Sequence, residues 1–412
     1  MEAKEENMKE NKKVNKENIK INENRQLMVK TEISENSNIE RKRKYGIDLL
    51  KLIAMMMVTT FHFIQYSELY KRSPPFKIKT YIFHYIMTWG SNCNSIFGII
   101  TGYLSLNARH KLSPIILLMI TVSFYNIIVE FTLIISNREH YKVYQFIFML
   151  FPFTRNLYWY YTSYVSLFFY MPYINSIIKN ISKKEFKKIC LFMFILHCCI
   201  VPIFNNTNAY GIFGCGFLMI FMYYLFGAYI KLYGIYFFEK KSKIQLFLIA
   251  ILCHILHVFI IYLSDINKHK YNKSLFEFDG FLIQFNLFYI ISTICYIYII
   301  KDLKLNKYIE KFLSIISPSI FYVYIIGFNK YTLKFYKLYS LYKKSFPKII
   351  WTISYKNILI WVISLSIDYI RRLLFNYYKL NILSEKIAKK LEEILEKLSE
   401  INEYTQSNNE IN

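Results

Sequence analysis

Apolar residues along the chain come in runs of about 20 broken by short polar stretches, the length an α-helix needs to cross about 30 Å of hydrocarbon at about 1.5 Å per residue. Ten such runs can be read, at about 46–66, 81–105, 113–135, 157–178, 186–204, 213–233, 245–264, 282–300, 312–328 and 350–370. The pattern predicts an all-α, polytopic integral membrane protein with ten transmembrane helices between residues 45 and 376. The piece from Val143 to Phe153 is too short to cross and reads as interfacial or re-entrant. Residues 1–44 are almost wholly charged and polar, without the apolar stretch of a signal peptide, and read as a disordered tail. Residues 377–412 form a second tail, in which about 384–404 has the apolar spacing of an amphipathic helix opened by Ser384 as N-cap. That helix could pair with itself or lie on the membrane.

Charge orients the bundle. Arg41, Lys42, Arg43 and Lys44 abut the first run, and the positive-inside bias then puts the N-terminus in the cytoplasm. An even number of spans returns the C-terminus to the same side. Arg109-His110-Lys111, Lys183-Lys184, Lys240-Lys241, Lys301 with Lys304, and Arg371-Arg372 all fall on that side. The stretch 330–348 runs against the rule, carrying six lysines from Lys330 to Lys348 on the opposite side.

Composition agrees: 54% of residues are hydrophobic, 19% aromatic, and the net charge is +24, with a mean hydropathy of +0.23. These values exclude a soluble enzyme with a single core. The excess of Lys and Arg sits in tails and loops rather than on one helical face, which fits topology and anionic lipid and speaks against nucleic acid. The seven cysteines lie in or beside apolar runs with no ligand-like spacing, as small buried hydrophobes do.

Ionisable residues inside apolar spans cost about 2.5–3.5 kcal/mol each on insertion scales, so they mark candidate sites. The first span carries Asp48, Lys51 and His62. Lys51 and His62 are eleven residues apart, which at about 100° per residue leaves them on one face, about 16 Å apart along the axis. One reading is structural: Lys51 snorkels, Asp48 pairs with it at i,i+3, and His62 bonds a neighbouring helix. The other is a polar shaft, with an anionic cofactor at the Lys51 end and a titratable base at the His62 end. Glu130 is the acid of the third span and should face the interior. Trp159, Tyr160, Tyr161 and Tyr164 open the fourth span, as an aromatic belt or a carbohydrate-stacking wall. His254 and His257 are i,i+3 without a further ligand at helical spacing, so no metal site is expected. Asp368, Arg371 and Arg372 read as an ion-pair set with snorkelling arginines.

These residues resemble a known family, the integral-membrane acyltransferase type 3 proteins, which include polysaccharide O-acetyltransferases. The opening pattern Ile-Asp-x-Leu-(Arg or Lys)-x-x-Ala, followed by a histidine, is matched by Ile47-Asp48-Leu49-Leu50-Lys51, Ala54 and His62. Phe97-Gly98-Ile99-Ile100-Thr101-Gly102-Tyr103-Leu104 is similar to the family's Phe-Phe-x-Ile-Ser-Gly-Tyr-Leu, and Leu225-Phe226-Gly227-Ala228-Tyr229-Ile230-Lys231 to Leu-Ile-Gly-Ala-Tyr-Ile-Arg. Trp159 through Pro172-Tyr173-Ile174-Asn175 and the ending Ile367 to Phe375 also fit. One departure stands out: Gly327 follows Val323-Tyr324-Ile325-Ile326 where many members carry histidine.

The resemblance implies a membrane O-acyltransferase of the cell membrane. It would take an acyl group, most commonly acetyl, from cytosolic acyl-CoA as co-substrate, with no bound cofactor, and pass it to a hydroxyl of a cell-envelope glycan or lipid-linked saccharide. It implies His62 as the general base, Asp48 orienting or neutralising Lys51, and donor phosphates on Lys51, Arg109 and Lys111. Glu130, Trp159, Tyr160 and Tyr164 would line the acceptor end. The rival class is a non-enzymatic transporter or flippase of a small solute or glycan lipid, which would use the shaft for passage. Against it, the sequence shows no internal repeat and no paired Gly/Pro-interrupted spans. An inactive scaffold is a third class, suggested by Gly327 and the C-terminal helix.

Overall fold

The computed structural model describes residues 43–73, 76–135, 150–153, 157–200, 216–271, 287–329, 332 and 335–409. Most of the N-terminal tail and of the short apolar piece at 143–153 lies outside them.

The described residues are helical wherever a span was expected. The helices are α1 (Tyr45–Tyr66), α2 (Leu69–Arg72), α3 (Ile78–Ser91), α4 (Cys93–Ser105), α5 (Leu112–Ile135), α6 (Trp159–Asn180), α7 (Lys183–Ile195), α8 (Phe217–Tyr233), α9 (Tyr236–Glu239), α10 (Lys243–Tyr271), α11 (Leu287–Ile300), α12 (Lys307–Ile316), α13 (Ile320–Gly327), α14 (Phe346–Tyr377) and α15 (Leu380–Asn409). Among the described residues, four stretches are long and apolar enough to cross a membrane: Tyr45–Tyr66, Leu112–Thr132, Lys243–Tyr271 and Lys307–Gly327. The helices Phe217–Tyr233 and Leu287–Ile300 are apolar but shorter.

Local chemistry explains the breaks. The second apolar run is two helices, α3 and α4, that meet at Asn92. The Asn92 amide donates to Ser292 Oγ at 2.9 Å, while its carbonyl oxygen accepts from Ser95 at 2.7 Å and Thr293 at 2.8 Å. A buried amide satisfied on both sides holds the junction against α11. Pro318 opens the 3₁₀ turn Ser317–Ser319 that separates α12 from α13, because proline cannot donate to the preceding turn. At the start of α7, Ser182 and Glu185 form a reciprocal capping box.

The tightest crossing is between α4 and α8. A Cβ on Gly102 would overlap the Tyr224 carbonyl oxygen, and one on Gly227 would overlap that of Ile99. Gly98, one turn from Gly102, faces the Tyr223 side chain in the same way. Gly98-x-x-x-Gly102 is thus a small-residue stripe that lets two backbones touch. The buried core spreads from it through Ile47, Leu50 and Ala54 of α1, Met219 and Met222 of α8, and Ile290 and Ile294 of α11.

Two expectations need correction. Arg371 does not snorkel: it is 7% exposed, and Asp368 is fully buried. The Asp368 carboxylate accepts from Arg371 at 2.8 and 3.0 Å, from Tyr125 at 2.7 Å and from Ser319 at 2.6 Å, and pairs with Arg372 at 3.4 Å. The Arg371 guanidinium lies over the rings of Tyr322 and Phe375. With that many partners the charge is better satisfied inside than at the surface. The C-terminal helix also starts four residues before Ser384, whose hydroxyl bonds back to the Asn381 carbonyl at 2.7 Å rather than capping. The helix packs along α5 and buries Ser384 and Ala388.

Candidate functional site

His62 occupies the last turn of α1, on the face that meets α13 and α14. Its imidazole lies between two rings, Phe328 at 4.1 Å and Tyr66 at 5.7 Å, the latter stacked. Behind them Tyr336 stacks on Phe328 at 5.9 Å. His62 Nδ1 is 3.1 Å from Gln65 Oε1. A carboxamide oxygen only accepts, so in this arrangement Nδ1 carries the proton and Nε2 presents a lone pair. Within the turn before His62, Thr60 accepts from Asn357 at 3.0 Å, and Thr59 accepts from the Trp361 indole at 3.3 Å. Those bonds hold α14 against α1.

The ring contacts continue from His62 to α6. Phe328 meets Tyr324 at 5.3 Å, and Tyr324 meets Tyr158 at 5.9 Å. The hydroxyl of Tyr160 lies within electrostatic reach of those of Tyr164 and Tyr324. Glu130, buried in α5, lies within reach of Tyr158. His62 and Tyr324 thus both meet Phe328, Tyr160 lies near Tyr324, and Glu130 is joined to this group through Tyr158. Trp159, Tyr160 and Tyr164 all pack on the cluster of Leu167 and Ile220 between α6 and α8.

At the other end of α1, Lys51 pairs with Asp48 at 3.4 Å, as the i,i+3 spacing predicts. Asp48 is buried, whereas the Lys51 side chain keeps 28% of its surface exposed. Arg109 and Lys111 are exposed in the loop between α4 and α5, where they and Lys51 make no contact with one another in the hydrogen bonds and ion pairs described. Between them, His110 packs on Phe168 at 4.2 Å. Burial pushes His110 below the ordinary histidine range, offset in part by the Glu392 carboxylate of α15.

His254 and His257 do not converge on a common point. His254 bonds Thr88 and the Tyr296 hydroxyl, each at 3.0 Å, and His257 packs on Tyr289 at 4.9 Å. Among the described residues no group of three or more His, Cys, Asp or Glu side chains is placed to hold a metal ion.

Sequence reading missed Gln65, Phe328 and Tyr336. Gln65 had a local signal, since it stands three residues after His62 on the same helix. Phe328 and Tyr336 had none, because their contact with α1 joins residues more than 260 positions apart.

Gly327, where many members of the resembling family carry histidine, ends α13 next to Phe328. A Cβ there would sit 3.6 Å from the Tyr336 hydroxyl and 3.7 Å from Ile360, ordinary contact distances. The Tyr336 hydroxyl has no hydrogen-bond partner among the described residues.

No curated protein and no solved structure gives a significant match to the chain. A family described as "Acyltransferase domain" matches residues 44–367, which take in α1 with Asp48, Lys51 and His62 and every helix through most of α14. The match covers well over half of the chain, and with it this helical membrane protein belongs to the acyltransferase type 3 family and is an acyltransferase.

Proposed function

We propose that the protein moves an acyl group, acetyl in the simplest case, from acyl-CoA to a hydroxyl of a cell-envelope glycan or lipid-linked saccharide. The observation that carries this reading is the setting of His62: an imidazole whose Nδ1 faces Gln65 and which packs on the rings of Phe328 and Tyr66, with Tyr324 beyond Phe328.

His62 Nε2 takes the proton of the acceptor hydroxyl as its oxygen attacks the thioester carbonyl. The carbon–sulfur bond breaks, the ester forms, and the CoA thiolate recovers the proton from the imidazolium. Lys51, with Arg109 and Lys111, holds the phosphates of the donor at the opposite end, Asp48 keeps Lys51 in place, and the pantetheine arm spans the roughly 16 Å of helix between Lys51 and His62. Glu130, Tyr160 and Tyr164 bind the acceptor sugar, with Trp159 at the edge of that wall. In this reading the chain crosses the cell membrane ten times with both termini in the cytoplasm, so donor and acceptor approach from opposite sides.

The test is CoA release from acetyl-CoA by the purified full chain with a cell-envelope glycan extract as acceptor, beside His62→Ala. Release should require the extract and fall about 10²–10⁴-fold in the variant. Full release by a correctly folded His62→Ala protein would overturn the assignment of the base. Movement of the solute with the thioester left intact would replace acyl transfer by transport.

A further inference from the structure

The C-terminal helix α15 runs well beyond its seat on the bundle. Where it packs along α5 it buries Ser384 and Ala388. Glu392 comes within electrostatic reach of His110, in the loop before α5. From Lys389 to Lys397 every residue is exposed. The helix nevertheless continues to Asn409, roughly 25 Å past Glu392 at about 1.5 Å per residue.

Along this length the apolar residues alternate in steps of four and three: Ile387, Leu391, Ile394, Leu398 and Ile401. That spacing is a heptad, a mean period of about 3.5 residues, kept up over three repeats from Ser384 to Tyr404. Leu391 and Leu398 take position a, while Ile387, Ile394 and Ile401 take position d. A single chain leaves this seam open, with Ile387, Leu391 and Ile394 exposed by 37%, 42% and 45% and Leu395, beside them at position e, by 59%. Lys389 and Glu393 pair at 3.9 Å on the outer face, away from the seam.

Charge separates a lipid surface from a protein partner. A helix that lies on a membrane carries Lys and Arg on its polar face and Trp or Phe among its apolar residues. Between Leu391 and Glu403 this helix carries Glu392, Glu393, Glu396, Glu400 and Glu403 against Lys397 alone, and from Leu380 to Glu403 it has no aromatic residue. An anionic leaflet would repel it. The flanks of the seam suit a second copy. Position g holds Lys390 and Lys397, and position e holds Ala388, Leu395 and Asn402. Parallel helices set g beside e, so each lysine meets a neutral residue, whereas antiparallel helices set g against g and oppose the lysines. Copies of one chain enter a bilayer in the same orientation, so helices seated along α5 leave their bundles in parallel, and the closed arrangement is cyclic about the membrane normal. Leucine at a with isoleucine at d favours more than two strands, and Leu395 at e widens the apolar face as a four-stranded core needs.

We propose that α15 joins copies of this chain through the seam from Ile387 to Ile401 in a parallel, four-stranded coiled coil. The test is the mass of the purified full chain in detergent, by size-exclusion chromatography with light scattering. The protein component should weigh four times the 49.8 kDa of one chain. Leu391→Glu combined with Ile394→Glu puts carboxylates into the seam and should reduce the mass to that of one chain. Glu396→Lys makes a charge change of the same size on the outer face and should leave the assembly intact. All three positions are exposed in the single chain, so the bundle keeps its fold, which melting curves check. A short bismaleimide should link Ile394→Cys chains to one another and leave Glu396→Cys chains at the level of the parent chain, which is the blank for the native cysteines. A single-chain mass for the parent, or an assembly indifferent to the seam substitutions, would overturn the proposal. A mass of two or three chains that the seam substitutions abolish would keep self-assembly through α15 and overturn the four-stranded count.

Discussion

At the scale of single residues, the proposed role of His62 as base leans on a neighbour that contributes no charge. Gln65 Oε1 faces Nδ1, which selects the tautomer with Nε2 free to accept a proton. Gln65→Leu keeps the size and loses the acceptor, so it should lower kcat about tenfold, short of the 10²–10⁴-fold cost of losing the base, with KM for acyl-CoA unchanged. Steady-state kinetics beside His62→Ala separate the two effects. Asp368 is the opposite case, a charge whose work is structural. It is fully buried and partners Arg371, Arg372, Tyr125 and Ser319, tying α5, the turn before α13 and α14 together. Asp368→Ala would strand the Arg371 charge and should cost about 3–5 kcal/mol, seen as a lowered midpoint of thermal unfolding in detergent. The pairing of Asp368 with its arginines was legible from spacing alone. Its hydroxyl donors were not, since they come from helices 49 and 243 residues distant.

At the scale of helices, glycines within the family-like motifs have unequal roles. Gly98, Gly102 and Gly227 stand where α4 and α8 touch backbone to backbone, so these motifs are packing motifs. Gly102→Ala should force the crossing apart and lower the yield of folded protein, whereas Gly327→Ala meets only ordinary contacts. Because alanine is the better helix former by about 0.8–1.0 kcal/mol, Gly327→Ala should hold or raise the thermal midpoint. Size-exclusion profiles and melting curves of the two variants check this directly. The spans themselves could be read from hydrophobic runs, but their interruptions could not. Asn92 breaks the second run through partners on α11, and no local pattern announces a partner 200 residues ahead.

For the whole molecule, the C-terminal helix and the lysine-rich loop find unexpected places. The stretch 335–345, which runs against the positive-inside rule, is folded onto the end of the bundle that holds His62. Tyr336 is buried, its carbonyl accepts from Ser67 at 2.8 Å, and Lys79 donates to the Tyr342 carbonyl at 3.0 Å. The described lysines of 330–348, Lys337, Lys343, Lys344 and Lys348, stay exposed, while the bonds that hold the segment come from Ser67 and Lys79 outside it. The amphipathic pattern of α15 revealed a helix but not its seat along α5, beside the loop of Arg109, His110 and Lys111. Deleting residues 380–412 uncovers that loop and should raise KM for acyl-CoA severalfold, about 2–10-fold if one hydrogen bond's worth of order is lost, with kcat retained. Donor titrations of the truncated and full chains measure it.

The junction at Asn92 has a mechanical meaning. A continuous helix transmits twist and tilt along its axis, but the regular helix is interrupted at Asn92, and beside the α1 that both halves pack on, α3 leans on α10 and α4 on α8. A shift of α3 against α10 is therefore absorbed at a pinned joint, and the glycine crossing below it keeps its register.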